Sequence, residues 1–246
     1  MLKKLFNSFK KDDIKVPLFY TTDLHSHLIP EIDDGSKSME QSIDMIKSLK
    51  KLGFKKLITT PHIMSHRYPN NRDIILNGLD KVQKELVKQN INMAIEAASE
   101  YYYDEHFIEL IGKKELLTFG DNYVLFELSY TTPTFGIEQT VFKLLNAGYK
   151  PVLAHPERYT YFSSSLEKYY QLKEIGLEFQ INVNSIDNFY GKKSKVAVNY
   201  LINNGLVSFV GSDTHRPKYV EALEKSISSK IFKKIEEKNR IKNIYL

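Results

Sequence analysis

Short apolar runs alternate with longer helix-patterned stretches along most of this chain, and this alternation restricts the possible folds more than any other feature. Runs rich in β-branched and aromatic residues are predicted to be strands near Pro17–Asp23, Lys56–Thr60, Asn92–Ala97, Tyr123–Leu128, Pro151–Ala154, Glu178–Val183 and Val207–Val210. Amphipathic helices are predicted between them at Met39–Leu52, Ile74–Gln89, Ile137–Ala147, Leu166–Ile175 and Ser194–Asn203. Repeated βα units of this kind predict an α/β fold.

Glycine positions and chain length add to this prediction. Glycines stand where four of the helices are expected to end, at Gly53, Gly148, Gly176 and Gly205. With 246 residues, of which 42% are hydrophobic, the chain is long enough for one large domain, although two smaller domains are also possible. About seven βα repeats predict a closed barrel, and an open, doubly wound sheet is the alternative because periodicity does not distinguish the two.

The N-terminus differs from the rest of the chain in being basic and amphipathic. A helix over the first eleven residues would place four apolar side chains on one face: Leu2, Leu5, Phe6 and Phe9. We expect such a helix to fray or to pack on the domain, and contact with anionic lipid is the alternative. The chain is therefore predicted to comprise an extension over residues 1–16 and a single domain over residues 17–246.

Composition excludes several classes of function. The chain has no cysteine, which excludes disulfides, thiolate metal sites and cysteine nucleophiles. The formal charge is +5, but the lysines of the N-terminal segment supply most of it, so a nucleic-acid-binding face is not indicated. No apolar run approaches the roughly 18 residues needed to span a bilayer, and the N-terminus lacks the apolar core of a signal peptide. We expect a cytoplasmic protein.

Residues that can bind metal ions stand in or just after the predicted strands. They are His25 and His27 after the first strand, His62 after the second, Glu100 after the third, Glu127 in the fourth, His155 after the fifth, and Asp213 and His215 after the seventh. In a βα barrel the C-terminal ends of the strands converge on one mouth. Residues far apart in sequence would therefore surround a single site.

Spacing and chemistry favour a metal site at this mouth. Side chains two residues apart on an extended strand point the same way, so His25 and His27 can bind one ion or two adjacent ions. Imidazole and carboxylate ligands without sulfur suit Mn²⁺, Fe²⁺ or Zn²⁺ better than Ca²⁺. Any one such residue alone is more often a core histidine, a helix cap or an ion-pair partner. Five of the seven histidines, however, occupy these positions beside acids, which indicates a shared metal site.

Six segments resemble, in order, the motifs of the polymerase-and-histidinol-phosphatase (PHP) superfamily: DLHSHLIPEIDDG, ITTPH, ASEYYY, YVLFELS, VLAHPERY and GSDTH. Within that superfamily they are similar to the CpsB/YwqE-type bacterial tyrosine-protein phosphatases linked to capsule or exopolysaccharide synthesis. The resemblance extends from about Thr22 to Arg216 and leaves out the N-terminal extension and the C-terminal tail. It implies a distorted (β/α)7 TIM-like barrel with up to three divalent ions at its mouth, Mn²⁺ foremost.

The resemblance also implies a ligand for each ion. Carried over by position, the ligands would be His25, His27, Glu127 and Asp213 for one ion, Glu127 as a bridge with Glu100 and His155 for a second, and Asp34, His62 and His215 for a third. Asp33 is the alternative to Asp34, and either carboxylate could instead cap the helix that begins near Met39.

Two arginines, Arg158 in the HPERY segment and Arg216 after His215, resemble the family's phosphate-binding residues. A guanidinium group matches the geometry of phosphate, although a single exposed arginine is more often a solvated surface charge. Metal ions a few ångströms apart could bind the phosphate oxygens and lower the pKa of a water that attacks phosphorus in line. No covalent enzyme intermediate would be required.

The function implied by the resemblance is that of a metal-dependent phosphotyrosine-protein phosphatase, a phosphoric monoester hydrolase. Its partner would be a tyrosine autokinase in capsule or exopolysaccharide biosynthesis. Two alternatives are a small-molecule phosphatase of the histidinol-phosphate type, which uses the same metals, and a non-catalytic adaptor that binds phosphoprotein. A PHP-type nuclease is disfavoured because the catalytic part of the chain is nearly neutral and no nucleic-acid module accompanies it.

Overall fold

The computed structural model describes residues 18–246 apart from the side chains of Ser163 and Ser164, so the predicted N-terminal helix lies outside the described residues. Strands are β1 (Thr22–Leu24), β2 (Lys56–Thr59), β3 (His62–Ile63), β4 (Ala94–Ala97), β5 (Glu100–Tyr102), β6 (Tyr123–Glu127), β7 (Lys150–Ala154), β8 (Glu178–Asn182) and β9 (Phe209–Gly211). Helices are α1 (Met39–Leu52), α2 (Arg72–Lys88), α3 (Glu105–Lys113), α4 (Ile137–Asn146), α5 (Lys168–Glu174), α6 (Lys192–Asn203), α7 (Pro217–Ile227) and α8 (Lys230–Lys238). None of these helices is long and apolar enough to cross a membrane.

The strands pair in parallel in two sheets, ordered β1-β2-β4 and β3-β5-β6-β7-β8-β9. The chain passes from β2 to β3 through Thr60 and Pro61, and from β4 to β5 through Ala98 and Ser99. Backbone hydrogen bonds continue across both interruptions, for example from the Ala98 amide to the Thr59 carbonyl at 2.9 Å. Each pair of short strands therefore continues one strand path, and the described residues contain seven such paths, as the sequence predicted.

The first and last strand paths meet at their C-terminal ends. Ser26 and Thr214 form a parallel bridge. The Asp213 amide donates to the His25 carbonyl at 2.8 Å, and the His27 amide donates to the Thr214 carbonyl at 2.9 Å. The Ser212 amide and hydroxyl also donate to the Asp23 carboxylate at 2.9 Å and 2.7 Å. Within residues 18–246 no continuous ladder joins β1 to β9, so these contacts link the two strand paths. The predicted α/β fold with parallel strands is confirmed.

Helix α1 shows how the local sequence produces its element. The Ser38 side chain accepts a hydrogen bond from the Gln41 amide at the N-terminus, and Gly53 ends the helix in the left-handed conformation with φ 111°. Ile43, Ile46 and Leu49 recur at helical spacing and are fully buried against the strands. Burial of each such side chain contributes about 1.5–3 kcal/mol.

Several elements differ from the prediction. The sequence analysis did not predict α3, α7, α8 or the separate strand β5. Of the predicted first strand, Thr22 and Asp23 are extended in β1 and Pro17 lies outside the described residues. Helix α3 has nine residues, of which Phe107 and Ile111 are buried, so its apolar repeat is too short to stand out.

A partly buried ion network joins β8 to the C-terminal segment. The Glu178 carboxylate accepts hydrogen bonds from the ammonium groups of Lys173 and Lys242, each at 2.6 Å, and from the Ser208 hydroxyl. Burial acts to raise the pKa of Glu178, but these contacts lower it to about 2.

We expect Glu178→Gln to lower the free energy of unfolding at neutral pH by about 1 kcal/mol, after allowing for solvent screening of a partly exposed group. The folded-state pKa is depressed from an ordinary value of 4.5, so this contribution is present above that value and is lost as the pH falls towards 2. Urea unfolding of both proteins at several pH values should show the difference shrinking in acid. Glu174→Gln, at an exposed position on α5, is the control, and a difference independent of pH would contradict the prediction.

Candidate metal centre

The structure brings together at the mouth all nine residues predicted to bind metal. Their ligand atoms form four overlapping groups, in each of which the atoms lie within 4.8 Å of one another: His27, Asp34, His62 and His215; His25, Glu100 and His155; His25, His27 and Asp213; and His62, Glu100 and Glu127. Asp34 and His215 are half-buried and the other members are buried. The converging strand ends, rather than any single loop, build this cluster.

Hydrogen bonds fix the orientation of three histidines in the same way. The Nδ1–H of His25 donates to Gln180 Oε1 at 2.7 Å, and the Nδ1–H of His27 donates to Asp33 Oδ2 at 2.7 Å. The Nδ1–H of His215 donates to the Asp213 carbonyl at 2.9 Å. Since these acceptors cannot donate, each Nδ1 carries a proton and each Nε2 is left to face the cluster. Metal-binding histidines are commonly oriented by such contacts.

Glu100 occupies the centre of the cluster. Its Oε2 lies 3.0 Å from His25 Nε2 and 3.3 Å from His27 Nε2, and its Oε1 lies 2.8 Å from His155 Nε2. It also lies 3.3 Å from His62 Nδ1, its neighbour in the pairing of β3 with β5. Glu127, which the resemblance placed as the bridge, lies 3.4 Å from His62 and 3.9 Å from His155. Glu100 therefore contacts more of the clustered histidines than Glu127 does, and the bridging role of Glu127 stays a prediction.

Several ligand atoms are buried without a hydrogen-bond partner in the described part of the chain. They are His27 Nε2, Asp34 Oδ1, His62 Nδ1, Glu127 Oε2, His155 Nδ1 and Asp213 Oδ1. A buried polar atom without a partner costs about 1–3 kcal/mol, so a concentration of them at one place requires an explanation. Imidazole nitrogens and carboxylate oxygens are the donors that borderline divalent ions take, and the cluster fits such ions.

Electrostatics prepare most of these groups for metal. Burial lowers the pKa of His62 and of His155 to about 4, so both imidazoles are neutral at pH 7. Burial opposes ionisation of Glu100, but the surrounding histidines hold its pKa well below its usual range. Burial and His215 act to lower the pKa of His27, but Asp33 and Glu100 raise it to about 9. Metal binding would therefore displace a proton from His27.

Three of the predicted ligands are among the eight non-glycine residues with positive φ in the described part of the chain. His25, His155 and Asp213 have φ values of 86°, 33° and 52°, in the left-handed region that residues with a Cβ avoid. Such conformations cost on the order of 1–3 kcal/mol each and gather at functional sites. Close packing also requires glycine at position 211, because a Cβ there would lie 1.9 Å from the Leu24 carbonyl oxygen.

The two aspartates of the DDG segment have different positions. Asp33 is buried and accepts hydrogen bonds from His27, from the Gly35 amide and from the His62 amide. Asp34 instead presents Oδ1 at 3.5 Å from Nε2 of both His62 and His215. Neither caps α1, whose N-cap is Ser38. Asp33 thus orients a histidine, and Asp34 stands among the candidate ligands.

Arg158 lies at the edge of the cluster between two tyrosines. Its guanidinium carbon is 4.4 Å from the ring centroids of Tyr130 and Tyr190, and its Nη1 donates to Asp213 Oδ2 at 2.9 Å. The Tyr190 hydroxyl and the Asn182 side-chain amide donate to the same oxygen at 3.0 Å and 2.7 Å. Stacking between two rings restricts the arginine to one plane.

Arg216, the other arginine predicted to bind phosphate, is not brought into this arrangement. It is exposed at the N-terminus of α7 and does not line the cleft above the metal cluster. Its role in phosphate binding stays a prediction.

The cleft over the cluster has a volume of about 380 Å³. Besides candidate ligands and Arg158, it is lined by Met64, His66, Arg67, Tyr68, Tyr102, Ser129, Tyr130, Thr131 and Tyr219. None of these was predicted from the sequence to be a site residue, nor were Gln180, Asn182 and Tyr190. A tyrosine on a rim and a buried amide are common in any fold, so sequence carries little signal for them. An inward position at the end of β8 was the one available indication for Gln180 and Asn182.

Comparison with known proteins shows which proteins this chain is similar to. Residues 21–245 match the family model described as capsular polysaccharide synthesis, CpsB/CapC. The chain is 30% identical over 197 residues to the tyrosine-protein phosphatase YwqE of Bacillus subtilis, covering 80% of this chain and 78% of YwqE. It is 28% identical over 218 residues to the tyrosine-protein phosphatase CpsB of Streptococcus pneumoniae, covering 85% and 90%.

A solved structure gives the same relationship in three dimensions. The chain superposes with a TM-score of 0.76 and 28% identity on a structure from work on YwqE of Bacillus subtilis and CpsB of Streptococcus pneumoniae, described as unique metal-dependent tyrosine phosphatases. The superposition covers 88% of this chain and 91% of the other. The family match over residues 21–245 includes all the strands that carry the metal-capable residues.

Proposed function

Because the chain belongs to the CpsB/CapC family of capsular polysaccharide synthesis, we propose that it is a metal-dependent protein-tyrosine phosphatase. The observation that carries the proposal is the cluster of nine histidine, aspartate and glutamate side chains, which lies under a cleft beside a stacked arginine. Relatives and a similar solved structure are named as tyrosine phosphatases, the latter as metal-dependent ones.

We propose that the nine residues hold up to three divalent ions, with Mn²⁺ as the first choice and Fe²⁺ or Zn²⁺ as alternatives. The ligands would be His25, His27, Asp34, His62, Glu100, Glu127, His155, Asp213 and His215. Ions bound there would supply Lewis-acid chemistry, polarising the phosphate and lowering the pKa of an attacking water. Glu100 would serve as the carboxylate shared between ions, since it contacts histidines from several strands.

The chain itself contributes binding and orientation of the phosphate. Arg158 is held by two rings and by Asp213 at the edge of the cleft, where its guanidinium can bind phosphate oxygens. Gln180 and Asp33 keep two histidines turned towards the cluster. The chain has no cysteine, so no thiolate can attack the phosphorus atom and form a covalent phosphoenzyme.

We further propose that the substrate is a phosphotyrosine protein of capsule or exopolysaccharide synthesis, namely a tyrosine autokinase, and that the reaction takes place in the cytoplasm. Residues 17–246 would form the single catalytic domain. Support for the substrate comes from the family description and from the names of the relatives. The near-neutral catalytic part gives no support for nucleic acid as a substrate.

Chelated enzyme is expected to lose about 10³-fold or more of its activity on a phosphotyrosine peptide, because the metal supplies several kcal/mol of transition-state stabilisation. Added Mn²⁺ should restore it. Histidinol phosphate should be assayed beside the peptide, with circular dichroism to confirm that the chelated protein stays folded. If Mn²⁺ restores hydrolysis of histidinol phosphate alone, the substrate is a small phosphate ester and not a phosphotyrosine protein. If neither compound is hydrolysed, a phosphoprotein-binding adaptor is favoured.

A further inference from the structure

Two neighbouring loops at the mouth, each leading into a helix, are followed by cations. Five residues, here called the basic rim, belong to the starts of α6 and α7 and are Lys192, Lys193, Lys195, Arg216 and Lys218; Lys195 is half-buried and the other four are exposed. Ring contacts hold the two loops together, since Phe189 and Tyr219 have centroids 5.0 Å apart. The Asn184 side-chain amide also donates to the Tyr219 carbonyl at 3.1 Å. The basic rim is therefore one surface built on two fastened loops.

This surface borders the metal cluster. Tyr190, two residues before Lys192, donates its hydroxyl to Asp213 at 3.0 Å. Tyr219, next to Lys218, lines the cleft and stands 5.4 Å from the ring of His215. The Lys218 ammonium lies 5.7 Å from the Tyr219 ring centroid. A protein segment with one residue in the cleft would therefore bring its flanking residues close to the basic rim.

The cations of the basic rim have no ion-pair partner in the described part of the chain. Among residues 18–246, none of the five side chains forms an ion pair. Two acids on the same loops, Asp187 and Glu221, are fewer than the cations and pair with none of them. Cations left unpaired by the fold remain available to a partner.

Their position on the helices is also unfavourable for stability. The first turns of α1, α2, α3 and α4 each contain an acid, which complements the positive end of the helix. The first turns of α6 and α7 contain no acid and carry lysines instead, as do those of α5 and α8. Like charges at a helix N-terminus are destabilising, so an anionic partner at the starts of α6 and α7 would offset a local cost.

We propose that the basic rim binds acidic residues that flank the phosphotyrosine of the protein substrate, so that the enzyme prefers phosphotyrosine in an aspartate- and glutamate-rich segment. This inference rests on the proposed phosphatase function and adds a sequence preference to it. Exposed charge pairs are individually weak, but several of them beside the cleft also accelerate encounter with an oppositely charged segment.

The test compares kcat/KM for two phosphotyrosine peptides of equal length, one with aspartate and glutamate on both sides of the phosphotyrosine and one with asparagine and glutamine. We expect the acidic peptide to be preferred about tenfold at low ionic strength, and the preference to disappear at high salt because screening shortens the range of surface charges. Equal values for the two peptides at low salt would overturn the proposal without any variant being needed.

Charge-reversal variants test whether the basic rim causes the preference for the acidic peptide. Lys192→Glu combined with Lys218→Glu should remove it, and both changes favour folding because each places an acid in the first turn of a helix. The matched control is Lys50→Glu combined with Lys51→Glu in the last turn of α1, where two exposed lysines lie far from the mouth. This control has the same net charge and should keep the preference. An equal loss in both double variants would attribute it to overall charge and overturn the proposal.

Free phosphotyrosine separates this proposal from the phosphatase function itself. The Lys192→Glu/Lys218→Glu variant should hydrolyse the free amino acid within about twofold of the unchanged enzyme, because a compound without flanking residues does not reach the rim. Failure of the unchanged enzyme to hydrolyse either phosphotyrosine peptide would refute the proposed function. If the variant keeps the peptide preference but loses binding to phosphatidylglycerol vesicles, the rim is a membrane surface and the peptide proposal is overturned.

Discussion

Replacement of Glu100 by glutamine is expected to lower kcat/KM for a phosphotyrosine peptide by about 10³-fold or more, a loss of about 4 kcal/mol of transition-state stabilisation. The substitution keeps the size of the side chain but removes the charge that four histidines surround. One oxygen becomes an amide group that cannot accept, so the side chain would hold a divalent ion less strongly. The number of bound ions per chain should fall by at least one.

Metal content by mass spectrometry, circular dichroism and kcat/KM should be measured on the same preparation. Glu96→Gln, an identical change four residues earlier, is the matched control because Glu96 is exposed and pairs with Lys56 at 2.8 Å. It should leave metal content and activity unchanged. Full activity in a folded Glu100→Gln protein with its full complement of ions would show that Glu100 is not a ligand.

The fold could be predicted as far as its βα repeats, because each of the seven strand paths and five of the eight helices show local periodicity. Helix α1 was predicted with both of its ends, and Gly53 indicated the C-terminal one. The serine that caps its N-terminus, Ser38, was not identified from the sequence. Helices α7 and α8 were missed, as they follow the last motif and lack an intervening strand to mark them as a repeat. The interruption of the strand paths at Pro61 and Ser99 depends on contacts between strands, which no local pattern records.

The candidate site could be predicted as a set of residues but not as an arrangement. Histidines and acids at strand ends are few and chemically distinctive, so barrel geometry was enough to bring them together. Which carboxylate stands at the centre depends on register, here the pairing of His62 with Glu100 between β3 and β5. Contacts between distant segments bring Gln180, Tyr130 and Tyr190 to the site. Glutamine and tyrosine are common throughout folded proteins, so their residue types did not predict this role.

Truncation of Arg158 to alanine is expected to lower kcat/KM by about 10²–10³-fold, the usual effect of removing one donor that stabilises charge developing in the transition state. The loss should fall mainly on kcat if the guanidinium binds the transition state better than the substrate. Arg158→Lys should not recover activity, because an ammonium group lacks the planar fork and the stacking surface. Arg240→Ala, at an exposed arginine beyond α8, serves as the control.

Chemical rescue tests whether the two tyrosines position this arginine. In Arg158→Ala, guanidinium ion from solution should enter the space between the rings of Tyr130 and Tyr190 and restore about tenfold of the lost activity, driven by cation–π stacking. Adding Tyr190→Leu should abolish the rescue, whereas adding Tyr190→Phe, which keeps the ring, should preserve it. Rescue that is equally strong with leucine at this position would contradict the stacking role, and undiminished activity in Arg158→Ala would remove the arginine from the phosphate site. Loss of rescue with leucine alone would instead identify the aromatic pair as the structure that holds the guanidinium beside Asp213 and the metal cluster.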